Sequence, residues 1–232
     1  MAKREEMKRY KKKQKKKDIT PFIIIGVVVV VVLAVVILTQ YEPPIEIIEP
    51  TFHTASITDG LTMGDPNAPV KVIEIADFQC PGCGGYYSTM EPDIITQYVE
   101  TGKVFYTYVP FSFVGSYVQN NPWDESIKSA EAAFCANDQG KFWEYRDYIF
   151  TNQNGENQGT FSRNTLLEFA KRLSLDEKTF TECLDSSTHY QDVMDSNEYA
   201  MSLGINSTPS VMVNGELVEL SNLVAAIEEA LK

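Results

Sequence analysis

The sequence predicts an α/β fold with helices segregated around a sheet, and three observations carry this prediction. Two short runs rich in β-branched and aromatic residues, VKVIEIADF at 70–78 and KVFYTYV at 103–109, are typical of strands. Between and after them, apolar residues recur at three- and four-residue spacing, as in amphipathic helices. Near the end, NSTPSVMVNGELVEL places an Asn-Gly pair between two short apolar runs, which indicates a β-hairpin. The predicted order is therefore strand, helix, strand, helical block, hairpin and helix.

The first 39 residues differ sharply from the rest of the chain. Residues 1–20 contain ten Lys and Arg against three acidic residues, a charge of +7, whereas the remainder carries −19. Residues 22–39, FIIIGVVVVVVLAVVILT, are uncharged and would form a helix about 27 Å long, enough to cross a bilayer. We expect a basic cytoplasmic head at 1–20 and one transmembrane anchor at 21–39 in the lipid bilayer. Because basic residues stay inside, residues 40–232 should be extracytoplasmic.

Three other interpretations of this N-terminal region are open. The apolar run could be a buried β-rich core segment, although it shows no alternation. It could be a cleaved signal peptide, but TQYEPPIEIIEP follows without a small-x-small cleavage site, which favours an uncleaved signal-anchor. The basic run could bind nucleic acid, but beside an apolar span it indicates topology instead. The prediction is a single-pass protein of the cell membrane, with no nucleic-acid partner.

The remainder is predicted to hold a spacer and one domain. Residues 40–60 are rich in Pro and Glu, a composition that favours an extended acidic linker. Residues 61–232 are enough for a single well-buried domain, with a helical insertion at about 112–203. The segment starting at CPGC should be a helix that kinks before Pro92, and the terminal helix should be capped by Ser221.

Cys80 and Cys83 form a C-P-G-C motif at the predicted start of a helix, directly after a strand. Unpaired backbone N–H groups and the helix dipole favour a thiolate at this position. We predict Cys80, at the helix start, as the nucleophile and Cys83, one turn further in, as the resolving cysteine, with no cofactor required. The same spacing occurs in half of a zinc site. No metal is expected, because the remaining His and Cys residues do not supply a second close pair of ligands.

Two separated stretches carry a resemblance to a known family. MGDPNAPVKVIEIADFQCPGC at 63–83, followed by GINSTPSVMVNG at 204–215, resembles the DsbA-like branch of the thioredoxin superfamily, in particular its membrane-anchored bacterial forms. The resemblance covers about 61–232, and AAFCANDQGKFWEYRDYIF and FTECL resemble that family's helical insertion. It implies a thioredoxin fold with a helical insertion between the second strand and the cis-proline loop, preceded by one transmembrane helix.

The resemblance also implies roles for individual residues around the motif. Thr208 and Pro209 match the cis-proline loop, which faces the cysteines and binds the substrate backbone. Glu74 matches a buried acid that relays the proton of the resolving cysteine. From the strand pattern alone, Glu74 could equally face outward. Pro81 and Gly82 complete the active-site motif, but strongly oxidising members have His where this chain has Gly82, which leaves the oxidising strength open.

Cys135 and Cys183 fall on separate predicted helices of the insertion. In an extracytoplasmic domain the expected arrangement is a structural disulfide. The alternative is a pair of buried free thiols that pack as small hydrophobic side chains.

The expected function is that of an extracytoplasmic thiol-disulfide oxidoreductase. By resemblance, it would oxidise unfolded or reduced secreted proteins and be reoxidised by a membrane partner of the DsbB or VKOR type. Two alternatives are a disulfide reductase or isomerase fed by a membrane electron donor, and a redox-inactive thioredoxin-like binding module. The presence of both cysteines disfavours the binding module. The direction of electron flow depends on the reduction potential and the partner.

Overall fold

The computed structural model describes residues 23–32, 46–119, 121 and 123–232. The chain divides into two compact units, residues 1–46 and 47–232. In the first unit, residues 23–32 are helical and exposed. The predicted head, the rest of the predicted anchor and residues 40–45 of the predicted linker lie outside the described residues. Within the part of the chain that is described, no helix is both long enough and apolar enough to cross a membrane.

The described residues of the second unit form six strands, which are β1 Thr58–Asp59, β2 Thr62–Met63, β3 Val70–Ala76, β4 Val104–Pro110, β5 Ser210–Val213 and β6 Glu216–Val218. They make one sheet in the order β1-β2-β4-β3-β5-β6. β3 and β4 are parallel, with Val72 opposite Tyr106, and all other neighbouring pairs are antiparallel. Both strands predicted from β-branched runs are present as β3 and β4, at the centre of the sheet.

Helices connect and cover these strands. Between β3 and β4 lie α1 Pro81–Thr89 and α2 Glu91–Ile94, which continues as a π-helical turn over Ile95–Val99. The predicted kink is confirmed: the helix breaks at Met90, where the following Pro92 has no N–H to continue the ladder. The helical insertion between β4 and β5 contains a 3₁₀ turn at Val114–Tyr117, α3 Glu125–Asn137, α4 Phe142–Thr151, α5 Arg163–Arg172, α6 Glu177–Asp185 and α7 Tyr190–Ser202. A 3₁₀ turn at Leu220–Asn222 leads into α8 Leu223–Ala230.

β3 is covered on both faces, which fixes the surroundings of its polar residue. Val70, Val72 and Ala76 alternate into the main core, and Ile75 packs into a smaller cluster on the other face. Each fully buried Val or Ile side chain contributes about 1.5–3 kcal/mol. Glu74 shares the register of Val70, Val72 and Ala76 and is completely buried. The outward-facing interpretation of Glu74 is therefore excluded.

The predicted hairpin between β5 and β6 is confirmed, and it anchors the start of the central strand. Asn214 and Gly215 both have positive φ, 49° and 88°, as a tight two-residue turn requires. Asn214 also exchanges two hydrogen bonds of 2.8 Å with the backbone of Lys71. β5 is thereby held against β3, which places the preceding Thr208–Pro209 peptide beside the end of β3.

Both ends of the domain differ from the sequence interpretation. The compact unit begins at Ile47, ahead of the predicted boundary at 61, and β1 and β2 form a short hairpin that the sequence did not indicate. Asn152 exchanges hydrogen bonds of 2.7 and 2.9 Å with the backbone of Ile48, which ties part of the acidic segment to the domain. The cap prediction for Ser221 is wrong: Ser221 lies inside the 3₁₀ turn, so Asn222 occupies the N-cap position of α8.

The insertion is cross-linked by a disulfide between Cys135 in α3 and Cys183 in α6, which confirms the predicted pairing. The two residues are 48 apart in sequence, so the bond closes a long loop and restricts the unfolded chain. Cys135 is buried and Cys183 is partly buried. The alternative of two free thiols is therefore excluded.

We expect this disulfide to survive conditions that keep Cys80 and Cys83 reduced, because a buried structural bridge resists reduction more than an exposed exchanging one. Alkylation under mild reductant, followed by mass mapping, should label Cys80 and Cys83 while Cys135 and Cys183 stay joined. Labelling of all four cysteines at one rate would contradict a purely structural role. The same mapping in strong reductant with denaturant provides the fully labelled control.

Candidate active site

Cys80 is held at the N-terminus of α1 with its sulfur partly exposed. It is the N-cap residue, with extended φ and ψ of −70° and 118°, and Pro81 occupies the first helical position, where a missing N–H costs nothing. The thiol donates to the backbone carbonyl of Thr208, with Sγ and O 3.4 Å apart. Both Cys80 and Cys83 are free thiols. Cys80, the predicted nucleophile, thus lies where the helix end favours negative charge.

The two thiols have opposite electrostatic environments. The pKa of Cys80 is lowered to about 6, first by a hydrogen bond from the Cys83 thiol and then by the Thr208 side chain and the N–H groups of Cys83 and Gly82, which outweigh partial burial. Burial raises the pKa of Cys83 well above its usual value, and the nearby charges of Cys80 and Glu74 add to that effect. At neutral pH, Cys80 is therefore mostly thiolate, whereas Cys83 keeps its proton.

Thr208 and Pro209 face the cysteines, as the resemblance implies. The Thr208–Pro209 peptide bond is cis. A Cβ added to Gly82 would lie 3.0 Å from Cδ of Pro209 and 3.6 Å from Sγ of Cys80, so these three residues are in close proximity. The Thr208 hydroxyl is buried without a hydrogen-bond partner among the described residues, and its position near the two sulfurs lowers the pKa of both cysteines. Gly82 therefore places no side chain beside Pro209 and the Cys80 sulfur.

A buried ionic cluster lies beneath Cys83, centred on Arg146 of α4. Arg146 Nη2 donates to Glu74 Oε2 at 3.0 Å and to both carboxylate oxygens of Glu91 at 2.6 and 2.7 Å. Arg146 Nη1 lies 3.5 Å from Oδ1 of Asp147. The Tyr106 hydroxyl donates to Glu74 Oε2 at 2.8 Å. The side chains of Arg146, Glu74 and Glu91 are fully buried, and Asp147 is 1% exposed.

This cluster contains more acid than base. Burial raises the pKa of Glu74, Glu91 and Asp147, although the Arg146 guanidinium opposes the rise in each case. Three carboxyl groups share one cation, so the cluster retains protons near neutral pH. Glu74 Oε1 is buried without a hydrogen-bond partner among the described residues, which leaves one acceptor free on the acid that affects Cys83.

Asp77, the other acid near the motif, supports the loop instead. Its carboxylate accepts from the backbone N–H groups of Gln79, Phe113 and Val114 at 2.8–2.9 Å and from the Ser126 hydroxyl at 2.8 Å. Burial nevertheless raises its pKa to about 6. Asp77 therefore joins the active-site loop to the helical insertion.

Sequence reasoning missed Arg146 and Glu91. The run FWEYRDYIF places aromatic residues on every side of α4, and a charged residue inside such a run must find buried partners. That signal could have identified Arg146, whose guanidinium also lies 4.8 Å from the ring centre of Tyr108 and 5.2 Å from that of Trp143. Glu91 had no such signal, because its burial depends on how α2 packs against α4.

One group of potential metal ligands lies outside this site. Ligand atoms of Cys135, Cys183 and His189 lie within 4.8 Å of one another. The two sulfurs are bonded to each other, and the ring nitrogens of His189 contact carboxylates of Asp192 and Asp138 at 2.5 and 2.8 Å. In this state the group has no thiolate to offer a metal ion.

Comparisons with known proteins agree with this geometry. A protein-family model described as Thioredoxin matches residues 56–232. Probable disulfide bond formation protein D of Bacillus anthracis is 30% identical over 176 residues, which cover 74% of this chain and 78% of the relative. Disulfide bond formation protein D of Bacillus subtilis is 25% identical over 182 residues, covering 76% and 79%.

A solved structure shares the fold. The crystal structure of oxidised BdbD from Bacillus subtilis superposes with a TM-score of 0.66 at 24% identity, covering 79% of this chain and 99% of that chain. The likeness supports the α/β fold with its helical insertion.

Proposed function

Because the chain belongs to the thioredoxin family and is a DsbA-like thiol-disulfide oxidoreductase, we propose that it oxidises cysteines of secreted proteins through Cys80 and Cys83. Enzymes of this class work through a redox-active cysteine pair and need no cofactor. The observation that carries this proposal is that the pKa values of the two thiols are shifted in opposite directions. The pKa of Cys80 is lowered and that of Cys83 is raised. A stabilised thiolate at Cys80 favours the reduced enzyme, and therefore favours transfer of its disulfide to a substrate.

The proposed reaction begins with the Cys80–Cys83 disulfide. A substrate thiolate attacks Sγ of Cys80, the bond between the cysteines breaks, and Cys83 leaves with the electron pair and takes up a proton. A second substrate thiolate then attacks the substrate sulfur of the mixed disulfide and expels Cys80 as a thiolate. Two electrons pass from the substrate to the enzyme. The substrate gains one disulfide, and of its two thiol protons one remains on Cys83 and one is released.

Glu74 is the proposed proton relay for Cys83. A leaving thiolate at this buried position must be protonated, since burial strongly disfavours its charge. Glu74 is buried in the same core, its pKa is raised by burial, and its Oε1 has no other partner among the described residues. A buried carboxyl group whose pKa is raised above its usual value is suited to this transfer.

Thr208 and Pro209 are the proposed substrate-binding residues. The Thr208 carbonyl oxygen lies 3.4 Å from Sγ of Cys80, so the loop lies directly beside the sulfur that the substrate attacks. Proline has no N–H to compete with an incoming peptide for hydrogen bonds. The absence of a side chain at Gly82 keeps this surface accessible to an unfolded chain.

The proposal places the domain outside the cytoplasm, on a single-pass anchor at 21–39. The uncharged run at 22–39, the basic head and the acidic remainder support this topology. The Cys135–Cys183 disulfide is also characteristic of an oxidising compartment. A membrane reoxidase of the DsbB or VKOR type is the proposed partner that restores the Cys80–Cys83 disulfide.

Topology can be tested by adding protease to cells stripped of their outer layers. We expect the domain at 47–232 to be digested without lysis, because the basic residues hold the N-terminus inside. A tag on the N-terminal head should survive until the membrane is permeabilised, which supplies the internal control. Protection of the domain in intact cells would reverse the proposed orientation.

The direction of electron flow can be tested by equilibrating the protein with glutathione. We expect a reduction potential above the roughly −270 mV of thioredoxin, because the Cys80 thiolate stabilises the reduced state. The protein should then oxidise a reduced, unfolded substrate. A reduction potential at or below that of thioredoxin would favour the reductase or isomerase alternative. Gly82 is consistent with that alternative, because strongly oxidising relatives carry His at this position.

A further inference from the structure

The backbone of Cys80 is held by a side chain from the helical insertion. Gln153 lies in the loop that follows α4, and its Nε2 donates to the carbonyl oxygens of Phe78 at 2.7 Å and Cys80 at 3.0 Å. The two N–H bonds of one amide group thus bridge the turn between β3 and α1. The Cys80 carbonyl also accepts from the N–H groups of Cys83 and Gly84, at 3.0 and 3.2 Å. Gln153 therefore binds the same carbonyl that starts the helix.

The residue skipped by this bridge is fixed from the same loop. Gln79 is fully buried, and its Oε1 accepts from the backbone N–H of Asn157 at 2.5 Å. Its Nε2 donates to the Ser126 hydroxyl at 3.0 Å. The loop after α4 consequently contacts three successive residues that lead into the helix, 78, 79 and 80. An extended turn held at each residue has little freedom to rotate the sulfur of Cys80 away from the helix end.

Gly84 fits this contact closely. A Cβ on Gly84 would lie 2.6 Å from Oε1 of Gln153 and 3.3 Å from its Cδ. A glycine inside a helix costs about 1 kcal/mol relative to alanine. A Cβ added to the neighbouring Gly85, by contrast, would have no other atom within 4 Å. Gly84 thus leaves the room that Gln153 needs to reach the backbone of Cys80.

We propose that Gln153 is a positioning residue for the proposed nucleophile, holding Cys80 in the extended N-cap conformation that aims the helix N–H groups at its sulfur. The inference rests on the proposed role of Cys80. With this role for Gln153, α4 and the loop after it act on the surroundings of both cysteines. Arg146 of α4 binds Glu74, the acid near Cys83, and Gln153 of the loop binds the carbonyl of Cys80. The insertion then supports the reactivity of the pair as well as covering it.

The test measures the thiolate of Cys80 against pH. Gln153→Met keeps the length of the side chain and removes the amide donors. Gly84→Ala keeps the donors and displaces them. In both variants we expect the pKa of Cys80 to rise by about half to one unit, the size of effect expected from one hydrogen bond. The measurements are the ultraviolet absorbance of the thiolate and the pH profile of alkylation, with mass mapping to identify the labelled cysteine.

Two matched controls separate positioning from general loss of stability. Gly85→Ala makes the same substitution one residue further on, where an added Cβ meets no atom within 4 Å. Gln158→Ala removes an exposed glutamine of the same loop, whose one hydrogen bond among the described residues goes to the Glu156 carbonyl. Both should leave the pKa of Cys80 unchanged. The double variant of Gln153→Met and Gly84→Ala should shift the pKa no further than either single change, because both remove one contact.

The outcomes distinguish this inference from the assignment of the nucleophile. If the wild-type protein is alkylated first at Cys83, the proposed role of Cys80 fails. Thermal unfolding curves first establish that the wild type and Gln153→Met are both folded. If Cys80 is alkylated first but its pKa is the same in these two proteins, the positioning role fails. A shift in Gly84→Ala that also occurs in Gly85→Ala would assign the effect to the helix and overturn the role of Gln153.

Discussion

Replacing Cys83 by Ala should trap mixed disulfides between Cys80 and substrate proteins. In the variant, the Cys80 thiolate attacks a disulfide of a substrate protein and expels the other substrate sulfur as a thiolate. In the wild type, Cys83 lies next to Cys80 and, once it has lost its proton, attacks the mixed disulfide as a thiolate and releases the substrate. Without it, the substrate stays attached to a partly exposed sulfur. Non-reducing gels of cells that express Cys83→Ala should show a ladder of adducts that collapses on adding reductant.

The matched variant is Cys80→Ala, which leaves a buried thiol with a raised pKa and therefore a poor nucleophile. It should form no adducts and lose oxidation of reduced substrate almost completely, a fall of several orders of magnitude in rate. The double variant should behave like Cys80→Ala. Native-rate oxidation by Cys80→Ala, or adducts that persist in the double variant, would remove the pair from the mechanism.

Replacing Arg146 by Met should destabilise the domain by about 3–5 kcal/mol, because it leaves buried carboxylates without their cation. Glu74 and Glu91 would both lose charge-assisted hydrogen bonds, and neither is exposed to water. Met roughly preserves the volume that packs against the rings of Tyr108 and Phe150. Urea unfolding of the wild type and the variant measures the difference in free energy.

Arg163→Ala is the control for this prediction. Arg163 binds Asp185 at 2.6 Å, but the two side chains are 40% and 46% exposed, so the loss should be below about 1 kcal/mol. Adding Glu91→Gln to Arg146→Met should recover part of the stability, since it removes one buried carboxyl group that has lost its cation. Equal losses for Arg146→Met and Arg163→Ala would show that the buried cluster does not hold its charges as described.

The sequence predicted the elements because their signals are local. β-branched runs identified β3 and β4, and the Asn-Gly pair identified the last hairpin. The C-P-G-C motif located the N-terminus of α1, where Cys80 is the N-cap. The short β1–β2 hairpin has too few residues to show a period, and the cap of α8 moved from Ser221 because a 3₁₀ turn precedes the helix. Such details depend on a few neighbouring residues whose conformations compete closely.

The sequence by itself determined which residues could react, since Cys80 and Cys83 carry their spacing and helix position in a single motif. Only the tertiary structure decided what surrounds them. The face of Glu74 was ambiguous because β3 is covered on both sides, so alternation gave no contrast between core and solvent. Arg146 reaches Glu74 across 72 residues of sequence, and Gln153 reaches Cys80 across 73. Their roles arise when the insertion packs onto the sheet, because buried charges and carbonyl groups must find partners wherever the folded chain brings them close.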